Sequence, residues 1–241
     1  MTYTQACPSG VVAIEVWHCH VTRNLADDAL RSLPQATIAE LAGLQDVERS
    51  RRAVQLAMRR WVLADRLKIA PVSMAIRAEH AGPIVVPSLE VGMSVSHHDD
   101  ITVLALCKQP CTIGVDIEPA DENDWEAAVE EVLTPHELTS LMALAPQCRP
   151  RAYFTCWTLK ESVMKVMGEG LDKRSPGSIE VSLPPAPAEL ISIDGDPPSR
   201  PWALRSIHSP GHVCSLATAS GSSIAYRCYS WPPLDTAEPI Y

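Results

Sequence analysis

The chain has 241 residues, a formal net charge of −9 and 46% hydrophobic residues, enough apolar content for one large domain or two small ones. Its acidic balance argues against a general nucleic-acid binder, which would show a basic footprint. No apolar run approaches the roughly 20 residues of a membrane helix, and Met1-Thr2-Tyr3-Thr4-Gln5 lacks the basic-then-apolar order of a secretory signal, so the expectation is a soluble, cytoplasmic protein with no membrane partner.

In chain order, Gly10 to Cys19 is β-branched and alternating and predicts a first strand. Between Leu25 and Leu44 a helical segment runs around Pro34 to Leu41, with the proline near its start. Val47 to Leu67 predicts a long helix with Arg49, Arg51 and Arg52 at its beginning and Arg59, Arg60 and Arg66 further on. Clustered cations at a helix start oppose the macrodipole, so something anionic should offset them; a solvated face also carries such charge. Val72 to Arg77 and Ile84 to Val86 read as short strands around the turn at Gly82-Pro83. Met93 to His98 then leads through Asp99-Asp100 into a buried strand, Ile101 to Leu106.

Ile113, Val115 and Ile117 alternate with Gly114, Asp116 and Glu118, so a strand here points both carboxylates to one side. Asp121 to Glu131 is an acidic loop with a helix start, and Thr134, Pro135 and Glu137 stand at N-cap, N1 and N3 of a capping box. Arg149-Pro150 leads into the central helix, which stops at Gly168. Cys156, Leu159, Val163, Val166 and Met167 make its apolar stripe, while Trp157, Glu161 and Lys165 recur one turn apart on another face. A carboxylate and an ammonium at that spacing also form an ordinary surface pair worth about 0.3 kcal/mol. From Ser178 onward, Ile179 to Leu183, Glu189 to Ile193, Trp202 to Ile207, His212 to Thr218 and Ser223 to Tyr229 alternate with Pro and Gly turns, before a loose tail from Pro232.

The eight cysteines are scattered and none forms a CxxC pair, so structural zinc is not expected, and Cys107 and Cys156 read as small buried hydrophobes. The side chains of His18-Cys19-His20 alternate along a strand and no second ligand cluster follows. The two halves echo one another: strand, Leu-Pro or Leu-Thr-Pro segment, long helix, strand unit. The predicted class is α/β (α+β), with an N-terminal subdomain 1–111 and a C-terminal subdomain 112–241.

Gly114-Val115-Asp116-Ile117-Glu118, followed by Trp157-Thr158-Leu159-Lys160-Glu161-Ser162-Val163-Met164-Lys165, resembles the signature of the 4′-phosphopantetheinyl transferases of the surfactin-synthetase-activating type. The resemblance is strongest from Ser94 to Leu171. Members of that family move the phosphopantetheine arm of coenzyme A onto a serine of an apo acyl or peptidyl carrier protein and release adenosine 3′,5′-bisphosphate. The resemblance implies a pseudo-twofold pair of α/β subdomains with the active site in the cleft between them, and the repeat suits a monomer. It further implies Mg²⁺ held by Asp116, Glu118 and Glu161 against the coenzyme's pyrophosphate. Lys165 would lie on the same phosphates, with Lys160 a further candidate. Arg52, with Arg49 or Arg51, and the Ser96-His97 pair would hold the 3′-phosphate and pyrophosphate; His98 has no role in the pattern. Either Glu161 or a metal-bound water would take the serine proton.

Family members often carry Gly-Lys-Pro at a turn that embraces the adenine, where this chain has Ala81-Gly82-Pro83. The segment after the central helix helps dock the carrier in the family, which points to Lys173 and Arg174. Fatty-acid, polyketide and non-ribosomal peptide carriers all remain open. Two other classes draw on the same residues. A metal-dependent nuclease also uses D-x-E with a Glu-Lys pair, although such sites usually place the lysine on the carboxylate strand. A non-catalytic coenzyme A or carrier-binding module would bind without releasing adenosine 3′,5′-bisphosphate.

Overall fold

A strand buried on both faces sits inside a sheet, and β1 (Val11–His20) is such a strand. Val12, Ile14 and Val16 enter one apolar cluster, Trp17 and Cys19 another. It pairs antiparallel with β4 (Ile101–Cys107) and parallel with β10 (Ser223–Ser230). With β2 (Ile84–Val86) and β3 (Val91–His98) these form a five-stranded sheet in the order β10-β1-β4-β3-β2. The computed structural model describes residues 10–68, 84–86, 91–109, 111–120, 125–220 and 223–232. The predicted strand at Val72 to Arg77, the Gly82-Pro83 turn, residues 121–124 of the acidic loop and the tail beyond 232 lie outside them.

The Trp17 face is covered by α1 (Arg23–Ser32), α2 (Gln35–Leu41) and α3 (Asp46–Leu67). The sequence reading expects α2 and α3 but not α1, which Thr22 caps by accepting from the Leu25 N–H at 3.2 Å. Pro34 separates α1 from α2 because the residue before a proline avoids helical geometry. Leu33 is accordingly extended, with φ −84 and ψ 150.

The second sheet runs β5-β9-β8, from β5 (Ile113–Pro119), β9 (His212–Thr218) and β8 (Ala203–Ser209). Ile113, Val115 and Ile117 pack with Val12, Ile14 and Val103, so one core lies between the two sheets. The opposite face of β5 receives α6 (Arg149–Met167) at Gly114, where an added Cβ would stand 1.9 Å from the Ser162 carbonyl oxygen. No side chain fits there, and the helix backbone lies directly against the strand. The predicted apolar stripe of α6 enters a third core with α4 (Val129–Val132), α5 (Pro135–Met142), β6 (Ile179–Val181) and β7 (Leu190–Ile193). Helices, sheet, sheet and helix thus follow one another, the mixed α/β class expected. One element departs from the predicted division at 111/112: β10 leaves the second unit and completes the first sheet beside β1. Among the described residues no helix is long and apolar enough to cross a membrane.

Candidate active site

Two serines on β3 fix β5 in place. Ser94 Oγ accepts from the Val115 N–H at 3.1 Å, and Ser96 Oγ donates to Asp116 Oδ1 at 2.7 Å. Because side chains alternate along a strand, Asp116 and Glu118 share the face that carries Gly114, and that face meets α6. From α6, Lys165 Nζ donates to Asp116 Oδ1 at 2.7 Å and to the Val115 carbonyl at 2.9 Å. The two motifs are therefore joined by a buried charge-assisted hydrogen bond.

Asp116 Oδ2 and Glu161 Oε1 are buried without a hydrogen-bond partner. Burial, reinforced by the negative charge of Asp116 and opposed by Lys165, pushes the Glu161 carboxyl up to about 7. Glu118 is also raised to about 7, by burial and by Asp116, against the opposing effects of His98 and Trp157. Among the described residues no three His, Cys, Asp or Glu side chains stand close enough together to hold an ion by themselves. Magnesium usually takes one or two carboxylates and completes its octahedron with waters and phosphate oxygens. The orphaned oxygens of Asp116 and Glu161 fit that share of a hard cation's shell.

The cationic side is gathered as well. The His97 pKa is lowered by partial desolvation and by the positive charges of Lys165, Arg51 and Arg52, with Asp116 opposing. Arg52 Nη1 donates to Gln55 Oε1 at 3.2 Å. Arg51 faces Asp99 and Asp100, each at 3.3 Å, and Arg49 pairs with Asp46 at 2.7 Å, so acidic groups do offset the arginine-rich helix start. Arg59, two turns after Arg52 on α3, has no place in the sequence motifs. It is 5% exposed, its Nε and Nη1 lack partners, and burial beside Arg52 lowers its pKa to about 10.

Lys160 does not join this group. Its side chain is fully buried on another side of α6, donating to Glu137 Oε2 and to the Val132 carbonyl, each at 2.6 Å. Glu137 meanwhile closes the predicted capping box and accepts from the Val181 N–H. Lys160 is thus a structural cation, and its burial on Glu137 rules out the expected contact with phosphate. Arg174 is likewise engaged, by Glu169 and by both Asp194 oxygens at 2.9 Å, which leaves Lys173 as the exposed cation of that predicted pair.

Residues 112–217 match the family model of the 4′-phosphopantetheinyl transferase superfamily. Over 153 residues, 63% of this chain and 61% of the relative, the sequence is 28% identical to the 4′-phosphopantetheinyl transferase gsp of Aneurinibacillus migulanus. It is 29% identical over 134 residues to the 4′-phosphopantetheinyl transferase HetI of a Nostoc strain, covering 54% of this chain and 50% of that one. A third relative, the 4′-phosphopantetheinyl transferase AcpT of Salmonella typhi, is 28% identical over 157 residues, or 62% and 77% of the two chains. The chain thus spans between half and two thirds of the first two relatives. The likeness carried by Asp116, Glu118 and the Trp157 to Lys165 helix is to the 4′-phosphopantetheinyl transferase superfamily, whose pattern runs through residues 112–217.

Proposed function

We propose that this chain transfers the 4′-phosphopantetheine arm of coenzyme A to a serine of an apo acyl or peptidyl carrier protein and releases adenosine 3′,5′-bisphosphate, with Mg²⁺ bound. The observation that carries this reading is the meeting of Asp116 with Glu161 and Lys165, where two buried carboxylate oxygens have no partner. Mg²⁺ held there would neutralise pyrophosphate charge and favour the phosphoryl transition state. Asp116 and Glu161 would hold it, with Glu118 beside them. Lys165 is fixed by two hydrogen bonds, so its charge is already in place when charge develops on phosphate.

The charges of Lys165, Arg51 and Arg52 disfavour protonation of His97, and an anionic ligand there would offset them. This suits the phosphates of coenzyme A. Either Glu161, whose carboxyl burial raises to about 7 in the metal-free protein, or a water on the cation would take the proton of the serine hydroxyl. Leu171, 57% exposed, and exposed Lys173 offer an apolar and a cationic contact to an acidic carrier. In this reading the two α/β units form a pseudo-twofold pair with the site in the cleft between them, and the working unit is a cytoplasmic monomer. The test is to incubate the protein with coenzyme A, Mg²⁺ and a panel of apo carriers. A phosphopantetheine mass increase on one carrier, matched by adenosine 3′,5′-bisphosphate release, is expected; neither signal with any carrier overturns the reading.

A further inference from the structure

His98 lies outside every motif that carries the family likeness. It ends β3, and its Nδ1 stands 2.6 Å from Glu118 Oε2, with the two side chains 23% and 21% exposed. The contact spans two sheets that are also joined where the serines of β3 bind β5 at Val115 and Asp116. Glu118 needs such a hold. Asp116 projects from the same face of the same strand and repels it, while Trp157 of α6 donates a hydrogen bond to it. The imidazole in turn has Asp99 behind it, with Nε2 3.6 Å from Oδ2, and Asp99 faces Arg51 at 3.3 Å. A line of charge thus runs from the arginine helix through the β3–β4 turn to the carboxylate strand.

We propose that His98 is the positioning residue of Glu118: its Nδ1–H fixes the carboxylate beside Asp116, so that a divalent cation meets an oriented oxygen donor. This rests on the reading that Glu118 serves the cation, and the test separates the two. Hydrogen bonds from outside a metal's own ligands orient those ligands, and losing one typically weakens metal binding about 10- to 100-fold. The Nδ1 position matters because an asparagine amide can place an N–H near the same point, whereas alanine cannot.

Mn²⁺ is the probe, titrated by electron paramagnetic resonance into the whole chain without coenzyme or carrier. His98→Ala should bind Mn²⁺ about 10- to 100-fold more weakly at an unchanged melting temperature. His98→Asn should recover most of the loss, and His98→Ala should add nothing in a Glu118→Gln background. Wild-type affinity in His98→Ala with weakened binding in Glu118→Gln overturns the positioning role and leaves Glu118 at the ion. Wild-type affinity in Glu118→Gln overturns the reading of Glu118 itself, and the proposal with it. A His98→Ala loss that Asn does not restore, accompanied by a lower melting temperature, assigns His98 to the fold instead.

Discussion

Buried carboxylates whose oxygens lack partners are costly unless a proton or a cation joins them. Glu118 and Glu161 hold pKa values of about 7 against an ordinary 4.5. A raised carboxyl pKa means that the native state binds the proton more tightly than the unfolded chain. Its stabilising effect is complete below 4.5 and is lost as the pH climbs to about 7. The melting temperature of metal-free protein should therefore fall across that window, fall less in Glu161→Gln, and be restored by Mg²⁺ mainly at the upper end; a flat profile would contradict the placement of both groups. Glu161→Gln should also lower turnover about 10²- to 10³-fold without lowering the melting temperature, as loss of one main electrostatic stabiliser does. Lys160 should behave in the opposite way. Removing one partner of a buried ion pair costs about 3–5 kcal/mol, so Lys160→Met should shift the urea midpoint strongly, yet leave the KM for coenzyme A unchanged at a temperature where the variant is folded. Adjacent residues 160 and 161 thus have different surroundings, and sequence separates them poorly. Periodicity places Glu161 and Lys165 on one face, but the partner of Lys160 lies 23 positions away in another helix. The ion pairs of Arg174 are equally hidden from sequence, because Asp194 belongs to the turn after β7.

At the level of elements, α6 works through its closeness to β5. Gly114→Ala would drive a methyl group into the Ser162 carbonyl oxygen, a backbone atom that can yield only if the helix moves. Overpacking of this kind costs about 1–3 kcal/mol, and here it also draws Glu161 and Lys165 away from Asp116. Activity should fall further than stability. Gly43→Ala is the control, since nothing lies within 4 Å of its added Cβ. Local elements were legible wherever local chemistry sets them. The predicted start of α5 is its capping box, the predicted stop of α6 is a left-handed Gly168, and β9 spans the residues expected. α1 was missed because its buried residues, Ala26 and Ala29, are small and its mean character is polar. Its place depends on packing against α3, which no short window of sequence contains.

For the whole molecule, the feature least visible in sequence is the partner of β10. Strand propensity marks Ser223 to Tyr229, but which sheet receives it is a non-local choice, and the echo between the halves, which ends at Ala219, does not address it. Ser230 meets His18 across 212 positions of chain. Ending the chain after Ala219 should therefore leave folded cores around α6 while exposing the β1 edge, and a strand with unpaired N–H and C=O groups recruits other strands. Aggregation of that truncated protein, relieved by adding a peptide of the β10 sequence, is the expected result; a soluble monomer with full β1 hydrogen-exchange protection would contradict it. The parallel seam also affects synthesis in the cell. A ribosome adding roughly 5–20 residues per second needs about 10–40 s to travel from β1 to β10. For that interval the first sheet stands with one flank open, so the half of the protein made first is completed last, and a nascent-chain chaperone has its longest task at β1.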